Sequence, residues 1–326
     1  MHKNSVVSLL KKTLPIVLIV VIFALLARKV DPNELLKVIN TMNWHYFLPA
    51  AFIYFLTFTI RGERWKLLLK PFGKIPFLTS MMVTLSGFGI NLIMPARAGE
   101  FARAWMLNKR SEISGIHIFA TVVIERIYDG LTIVLILVVT LYFAPFDSGC
   151  QFATTILSIL FFLLFVFTLS GGFMKWPKEL LKFVFRYLPK KLHKIEALLD
   201  TFFTSLHSGT AWNVVRLLLL SFLVWGIELG VYVIVMKAFG MEITLIRVLI
   251  ALSAANLGML VAPTPGGIGV FQAAMTEALM LTGIPFEQAL AVSIAIHATQ
   301  LFVIAIVGVP SAIYYGGFQK KNSSEN

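Results

Sequence analysis

Six apolar runs, at 13–30, 44–61, 116–143, 151–174, 214–238 and 288–314, alternate with short polar stretches along this chain. Each comes close to or exceeds the roughly 20 residues that a helix needs to cross about 30 Å of hydrocarbon. Two further apolar segments, 77–108 and 245–282, are interrupted. The first carries Asn91-Leu-Ile-Met-Pro-Ala-Arg-Ala-Gly-Glu100 and the second Leu260-Val-Ala-Pro-Thr-Pro-Gly-Gly-Ile-Gly269. Proline cannot donate a backbone hydrogen bond and glycine loosens a helix. Such breaks at membrane depth need protein or a polar cavity around them rather than lipid. The pattern predicts two helix–break–helix units and marks a candidate transport pathway.

Lys and Arg between the runs set their direction. Residues 61–76 carry Arg61, Arg64, Lys66, Lys70 and Lys74 against Glu63, and residues 97–117 carry Arg97, Arg103, Lys109 and Arg110. Both belong on the cytoplasmic side, so 77–108 is expected to enter the membrane and turn back. The basic connector 175–212, and a tail with Lys320 and Lys321, fall on the same side. The loops 145–150 and 283–287 carry only Asp147 and Glu287 as charges. They fall outside, which makes 245–282 a hairpin entering from the external face. Segment 28–43 is placed outside despite Arg28, Lys29 and Lys37, because Asp31 and Glu34 leave it nearly neutral; an interfacial helix is expected there.

The expected fold is therefore an all-α polytopic membrane protein, one transmembrane domain over 1–326. It has six full transmembrane helices plus two re-entrant helical hairpins arranged as an inverted repeat, with both termini cytoplasmic. An offset of 168 residues superposes Leu92 on Leu260, Pro95 on Pro263 and Gly99 on Gly267, and sets Asp129 against His297. Inverted repeats whose broken helices meet near the midplane, with alternating exposure by rocking of the repeats, are a recurrent transporter plan. The run at 13–30, followed at once by Arg28 and Lys29, reads as an uncleaved anchor. The connector reads either as an amphipathic helix on an anionic surface or as a solvated basic loop.

Composition narrows the class. With 58% hydrophobic and 13% charged residues and a mean hydropathy of +0.85, the chain lacks the polar surface to coat a water-soluble globule. The formal charge of +12 lies mostly in loops beside apolar spans, which points to anionic lipid head groups and away from nucleic acid. Cys150 is the only cysteine, so neither an intramolecular disulfide nor a thiolate metal cluster is expected. Walker A, dinucleotide, His-Glu-x-x-His and Cys-x-x-Cys patterns are missing. No cofactor or metal is expected, nor an ATP-driven pump without a partner subunit.

Ionisable residues inside apolar runs are costly and normally face a partner. Val123-Ile-Glu-Arg-Ile-Tyr-Asp129 puts Glu125 and Asp129 on one helical face, with Arg126 three residues before Asp129 and able to pair with it. Two acids against one base leave a carboxylate seeking a cation, for which Arg97 and Arg103 are candidates. One reading is a static network holding the hairpin. The other is that a guanidinium is exchangeable and meets a phosphate, whose oxygens its planar fork matches. Helix starts at Pro95 and Pro263 would add backbone donors for an anion. Pro265, Gly266, Gly267 and Gly269 either admit close backbone approach to a ligand or form a tight packing turn. Glu228, His297 and Gln300 lie well inside their runs and are candidates for proton coupling or for packing. Arg61 and Arg64, beside Trp65, read equally as interfacial anchors and as head-group contacts, and Trp44, Tyr46, Tyr314 and Tyr315 as belt residues.

These motifs resemble the lysylphosphatidylglycerol synthase transmembrane-domain family of flippase-like proteins, which includes the membrane half of the multiple peptide resistance factor. The resemblance rests on Arg61-Gly-Glu-Arg-Trp65, Asn91 with Pro95-Ala-Arg-Ala-Gly-Glu100 and Arg103, Glu125-Arg-Ile-Tyr-Asp129, and Pro263-Thr-Pro-Gly-Gly-Ile-Gly269. It implies a role in moving a polar phospholipid or an isoprenoid-linked glycolipid between leaflets of the cytoplasmic membrane, without synthase activity. Arg97, Glu100, Arg103, Glu125, Arg126 and Asp129 are the expected substrate contacts. The expected partners are membrane lipids, a separate synthase or glycosyltransferase, and another copy of the chain. The rival expectation is an accessory subunit, or an intramembrane enzyme, of lipid or envelope glycolipid modification.

Overall fold

The computed structural model describes residues 31–95, 97–143, 211–261 and 264–317. The anchor expected at 13–30, the run 151–174, the connector up to residue 210, Cys150, Pro263 and the basic tail lie outside the described residues. No strand occurs among the described residues.

The expected interfacial helix is α1, Pro32–Asn40. The Asp31 carboxylate accepts from the backbone N–H of Asn33 at 2.9 Å and of Glu34 at 3.3 Å, and Pro32 occupies the first turn, where its missing N–H costs nothing. A 3₁₀ turn at Trp44–Tyr46 leads into α2, Phe47–Leu69. The first interrupted segment forms α3, Phe77–Ile93, and α4, Ala98–Asn108. α5 spans Gly115–Phe143 and α6 spans Ala211–Ala238. The second interrupted segment forms α7, Leu245–Val261, a 3₁₀ turn at Pro265–Gly267, and α8, Val270–Met280. α9, Phe286–Val303, continues through a π turn at Ile304–Gly308 into α10, Val309–Gly316. Pro310 offers no N–H to the carbonyl four residues back, and the π turn just before it accommodates the mismatch without ending the helix.

Among the described residues, Val215–Ala238 and Phe286–Gly316 are long and apolar enough to cross a membrane. α2 and α5 have 23 and 29 residues, yet each carries charge within its length. For α2 the difference from the sequence expectation is physical. Arg, Glu, Lys and Leu are all good helix formers, so the helix runs on past residue 61 through the segment assigned to a loop.

The chain packs as two compact units, each gathered from separate stretches. The first contains residues up to Thr57, Leu85–Gly99 and Trp225–Ala312. In it α8 lies between α7 and α9, and α1 packs on α9. Its core includes Tyr232, Met236, Leu252, Ala255, Phe271 and Ile296. The second contains Phe58–Thr84, Glu100–Val224 and the chain from Ile313. Leu69, Val83, Met106, Leu107, Ile118 and Val122 are buried there, and Phe72 stacks on His117 at 4.8 Å.

Candidate functional site

In the second unit, three helices bring charge to one buried place. α2 supplies Arg61, Arg64 and Trp65, α4 supplies Glu100 and Arg103, and α5 supplies Glu125, Arg126 and Asp129. Spacings of three and four residues set each group on one helical face. Arg103 donates from both terminal nitrogens to Glu125, at 3.0 and 3.3 Å, and from one of them to Thr84 Oγ1 at 3.1 Å. Its guanidinium carbon lies 4.2 Å from the centre of the Trp65 ring, whose Nε1 donates to Thr121 Oγ1 at 3.0 Å. Arg64 donates to Asp129 at 2.6 Å and to Ser221 Oγ at 2.7 Å, and its other terminal nitrogen sits 3.5 Å from Glu125. Arg61 lies 3.6 Å from Asp129. Arg126 reaches Glu125 at 2.6 Å, Asp129 at 3.3 Å and Glu100 at 3.7 Å.

Among the described residues of this cluster, four guanidiniums face three carboxylates, Glu100, Glu125 and Asp129. The Nε groups of Arg61, Arg64, Arg103 and Arg126 are buried and donate no hydrogen bond, and Asp129 Oδ2 accepts none. Burying charge is tolerable only when pairing and hydrogen bonds are nearly complete. Guanidiniums that outnumber the described carboxylates and keep unspent donors favour an anion. Arg64 and Arg103 are sealed, whereas the Arg126 side chain is 25% exposed and its partner Glu100 19%. The open edge of the cluster is the Arg126–Glu100 pair.

The first unit contains a different site, where the two helix breaks meet. Asn91 Oδ1, near the end of α3, accepts from the Gly99 N–H at 2.7 Å and so caps the first turn of α4. Arg97, in the break itself, adopts φ of 54°, a left-handed conformation that a residue with a side chain rarely takes. Its guanidinium reaches to 3.5 Å from the Met259 carbonyl in the last turn of α7, where backbone carbonyls lack helical partners and the helix dipole favours a cation. Arg97 thus lies in this unit, and not among the guanidiniums of the charged cluster.

The Pro-Gly-Gly turn follows in the same place. Gly266, Gly267 and Gly269 have φ of 59°, 73° and 85°, which a Cβ would strain, and a Cβ on Gly266 would lie 3.1 Å from Leu92 of the first break. Gly269 N–H donates to Gln272 Oε1 at 2.8 Å, Gln272 Nε2 lies 2.9 Å from His297 Nδ1, and His297 Nε2 lies 2.9 Å from the Gly266 carbonyl. Because Gln272 uses its oxygen on Gly269, its amide must donate to Nδ1, which assigns the ring proton to Nε2 and sends it to Gly266. His297 also stacks on Phe271 at 4.3 Å. These hydrogen bonds do not go to Glu228, which accepts from Gln300 Nε2 at 3.4 Å. Replacing Asn91 by Ala should lower stability by about 1 kcal/mol, as for loss of an N-cap, while Asp, which keeps the acceptor, should lower it less. Thermal unfolding followed by tryptophan fluorescence reads this difference, and equal losses for both variants would refute the capping role.

The expected pairing of Arg126 with Asp129 has a counterpart in this geometry, and of the two candidate cations for the remaining carboxylate, Arg103 is the one found on Glu125. It did not bring in Arg61 and Arg64, which were read at the interface, nor Thr84, Ser221 and Gln272. The signal for the two arginines was present in their spacing with Trp65 on one face of a continuous helix. For Gln272 it was the three-residue step from Gly269, the spacing of an N-terminal capping pair.

Comparison with known proteins matches residues 13–308 to the family model described as the lysylphosphatidylglycerol synthase TM region. The chain is 25% identical over 343 residues to glycosyltransferase AglD of Haloferax volcanii, covering 91% of this chain and 53% of that protein. It thus spans about half the length of that relative. It is 23% identical to a UPF0104 membrane protein of Methanocaldococcus jannaschii, over 93% of this chain and 94% of the relative. The same identity holds for a UPF0104 membrane protein of Methanothermobacter thermautotrophicus, over 94% and 96%.

Proposed function

Because the chain is a membrane protein that belongs to the lysylphosphatidylglycerol synthase TM region family, we propose that it moves a phosphate-bearing polar lipid between the leaflets of the cytoplasmic membrane. The observation that carries this reading is the buried cluster in which four guanidiniums outnumber the described carboxylates. The lipid phosphate meets Arg126 at the open edge, exchanging for Glu100, while the tails stay in the bilayer. A phosphate accepts from several N–H groups at once, and Arg126, the partly exposed guanidinium of the cluster, has an Nε that donates no hydrogen bond. Segments 77–108 and 245–282 act as re-entrant hairpins of opposite direction, supported by the loop charges and by the meeting of their breaks in the first unit.

A second reading has support from one relative. The name glycosyltransferase AglD favours a glycolipid-related function, with an accessory or catalytic part in glycolipid modification. Purified protein reconstituted into vesicles separates the two. Transfer of a fluorescent phospholipid or glycolipid to the other leaflet is expected, followed by dithionite quenching, with the lipids unchanged in mass. A new lipid product, or vesicles in which transfer matches protein-free controls, would overturn the transporter reading.

A further inference from the structure

We propose that an open groove between α2 and α6 holds a glycerophospholipid with its phosphate on Arg216, and that this lipid is the one presented to the guanidinium cluster. The second clause rests on the transport reading above; the first stands without it.

The groove lies wholly in the second unit, encloses about 220 Å³ and is lined by Glu63 and Leu67 of α2 and by Arg216, Leu219 and Leu220 of α6. Steps of three and four residues align each set on one helical face, so Leu67 of α2 and the pair Leu219 and Leu220 of α6 form an apolar floor with a charge on each helix beside it. α6 is one of the two helices suited to crossing a membrane, and Arg216 stands in its first turns, where a head group sits above hydrocarbon. Leu219, Phe222 and Leu223 are exposed on the same helix, as suits a face in contact with acyl chains.

Charge selects the occupant. Glu63 is paired with Lys66 at 3.1 Å. Arg216 is exposed and, among the described residues, makes neither hydrogen bond nor ion pair. One uncompensated guanidinium above an apolar floor matches a phosphate above its acyl chains, and the volume admits a head group with the first methylenes of a chain lying open to the bilayer. The groove's lining residues are chain neighbours of the cluster. Glu63 adjoins Arg64 and Leu220 adjoins Ser221, and Arg64 donates to Ser221 at 2.7 Å. A lipid in the groove is therefore one helical face away from the buried arginines.

Full-length protein in phosphatidylglycerol vesicles carrying a trace of phospholipid with a photoactivatable diazirine near the head of its acyl chain provides the test. Irradiation and peptide mapping should place adducts at Leu67, Leu219 or Leu220. Arg216→Gln should lower that yield about fivefold, the worth of one basic contact at a membrane surface. Arg216→Lys should largely restore it, with adducts elsewhere unchanged. Adducts insensitive to Arg216→Gln would reduce the groove to ordinary hydrocarbon contact, and displacement by excess glycerol phosphate would assign the site to a soluble phosphate; either result overturns the proposal. Arg216-dependent adducts on a protein that transfers no lipid would support the groove while defeating the transport reading.

Discussion

Glu125→Gln is expected to destabilise the protein by about 3–5 kcal/mol, the range for removing one partner of a buried ion pair. The magnitude follows from where Glu125 sits. Its carboxylate is fully buried and takes Arg103, Arg126 and Arg64 at 3.0, 2.6 and 3.5 Å. Gln keeps the shape and removes the charge that three guanidiniums share, leaving four cations against Glu100 and Asp129. Removing Arg103 at the same time should relieve part of this loss. The double variant Glu125→Gln with Arg103→Gln is therefore expected to lose less than the sum of the singles, by about 0.5–3 kcal/mol. Tryptophan-monitored thermal unfolding of the singles and the double measures it. Additive losses, or a Glu125→Gln loss within about 0.5 kcal/mol of zero, a surface-like value, would show that the cluster is not the electrostatic unit described here.

Gly99→Ala should cost about 3 kcal/mol, at the upper end of overpacking effects. A Cβ at this position would lie 1.9 Å from the Gly87 carbonyl oxygen and 2.8 Å from Asn91 Oδ1. The first obstacle is helix backbone, which cannot rotate away as a side chain could. The second is the acceptor that caps α4 through the Gly99 N–H. One methyl group therefore pushes α4 away from α3 and breaks the cap together. Fluorescence-detected size exclusion and thermal unfolding should show an aggregated or much less stable protein. A variant indistinguishable from the parent would mean that the break does not hold α4 this close to α3.

Much of this was readable from residue order, and the exceptions have physical causes. Pro95 and the Pro-Thr-Pro-Gly-Gly-Ile-Gly269 run announce breaks because they act locally, through missing donors and positive φ. Apolar length likewise located α5, α6 and the continuous α9–α10 stretch, Phe286–Gly316, to within a few residues. Arg61 and Arg64 fell in a stretch that a charge-counting rule treats as loop, whereas both lie in α2, and only tertiary pairing reveals that they are at 4% and 0% exposure. The need of one carboxylate for a further cation was legible as charge demand, and Arg103 on Glu125 meets it. Its competitor Arg97 lies instead in the first unit at the end of α7, a destination set by the broken backbone that the residue itself occupies. Asn91 and Gln272 act on backbone N–H groups, and neither role depends on hydropathy, the property from which the runs were traced.

The central claim is that Arg126, at the open edge of an arginine-rich buried cluster, receives a lipid phosphate. Leaflet transfer by Arg126→Gln and Arg126→Lys proteins, reconstituted beside the parent at matched amounts and matched thermal stability, tests it most directly. Arg126→Gln is expected to abolish transfer, and Arg126→Lys, a cation without the bidentate fork, to retain only a fraction of it. Transfer at the parental rate by the Arg126→Gln protein would contradict it.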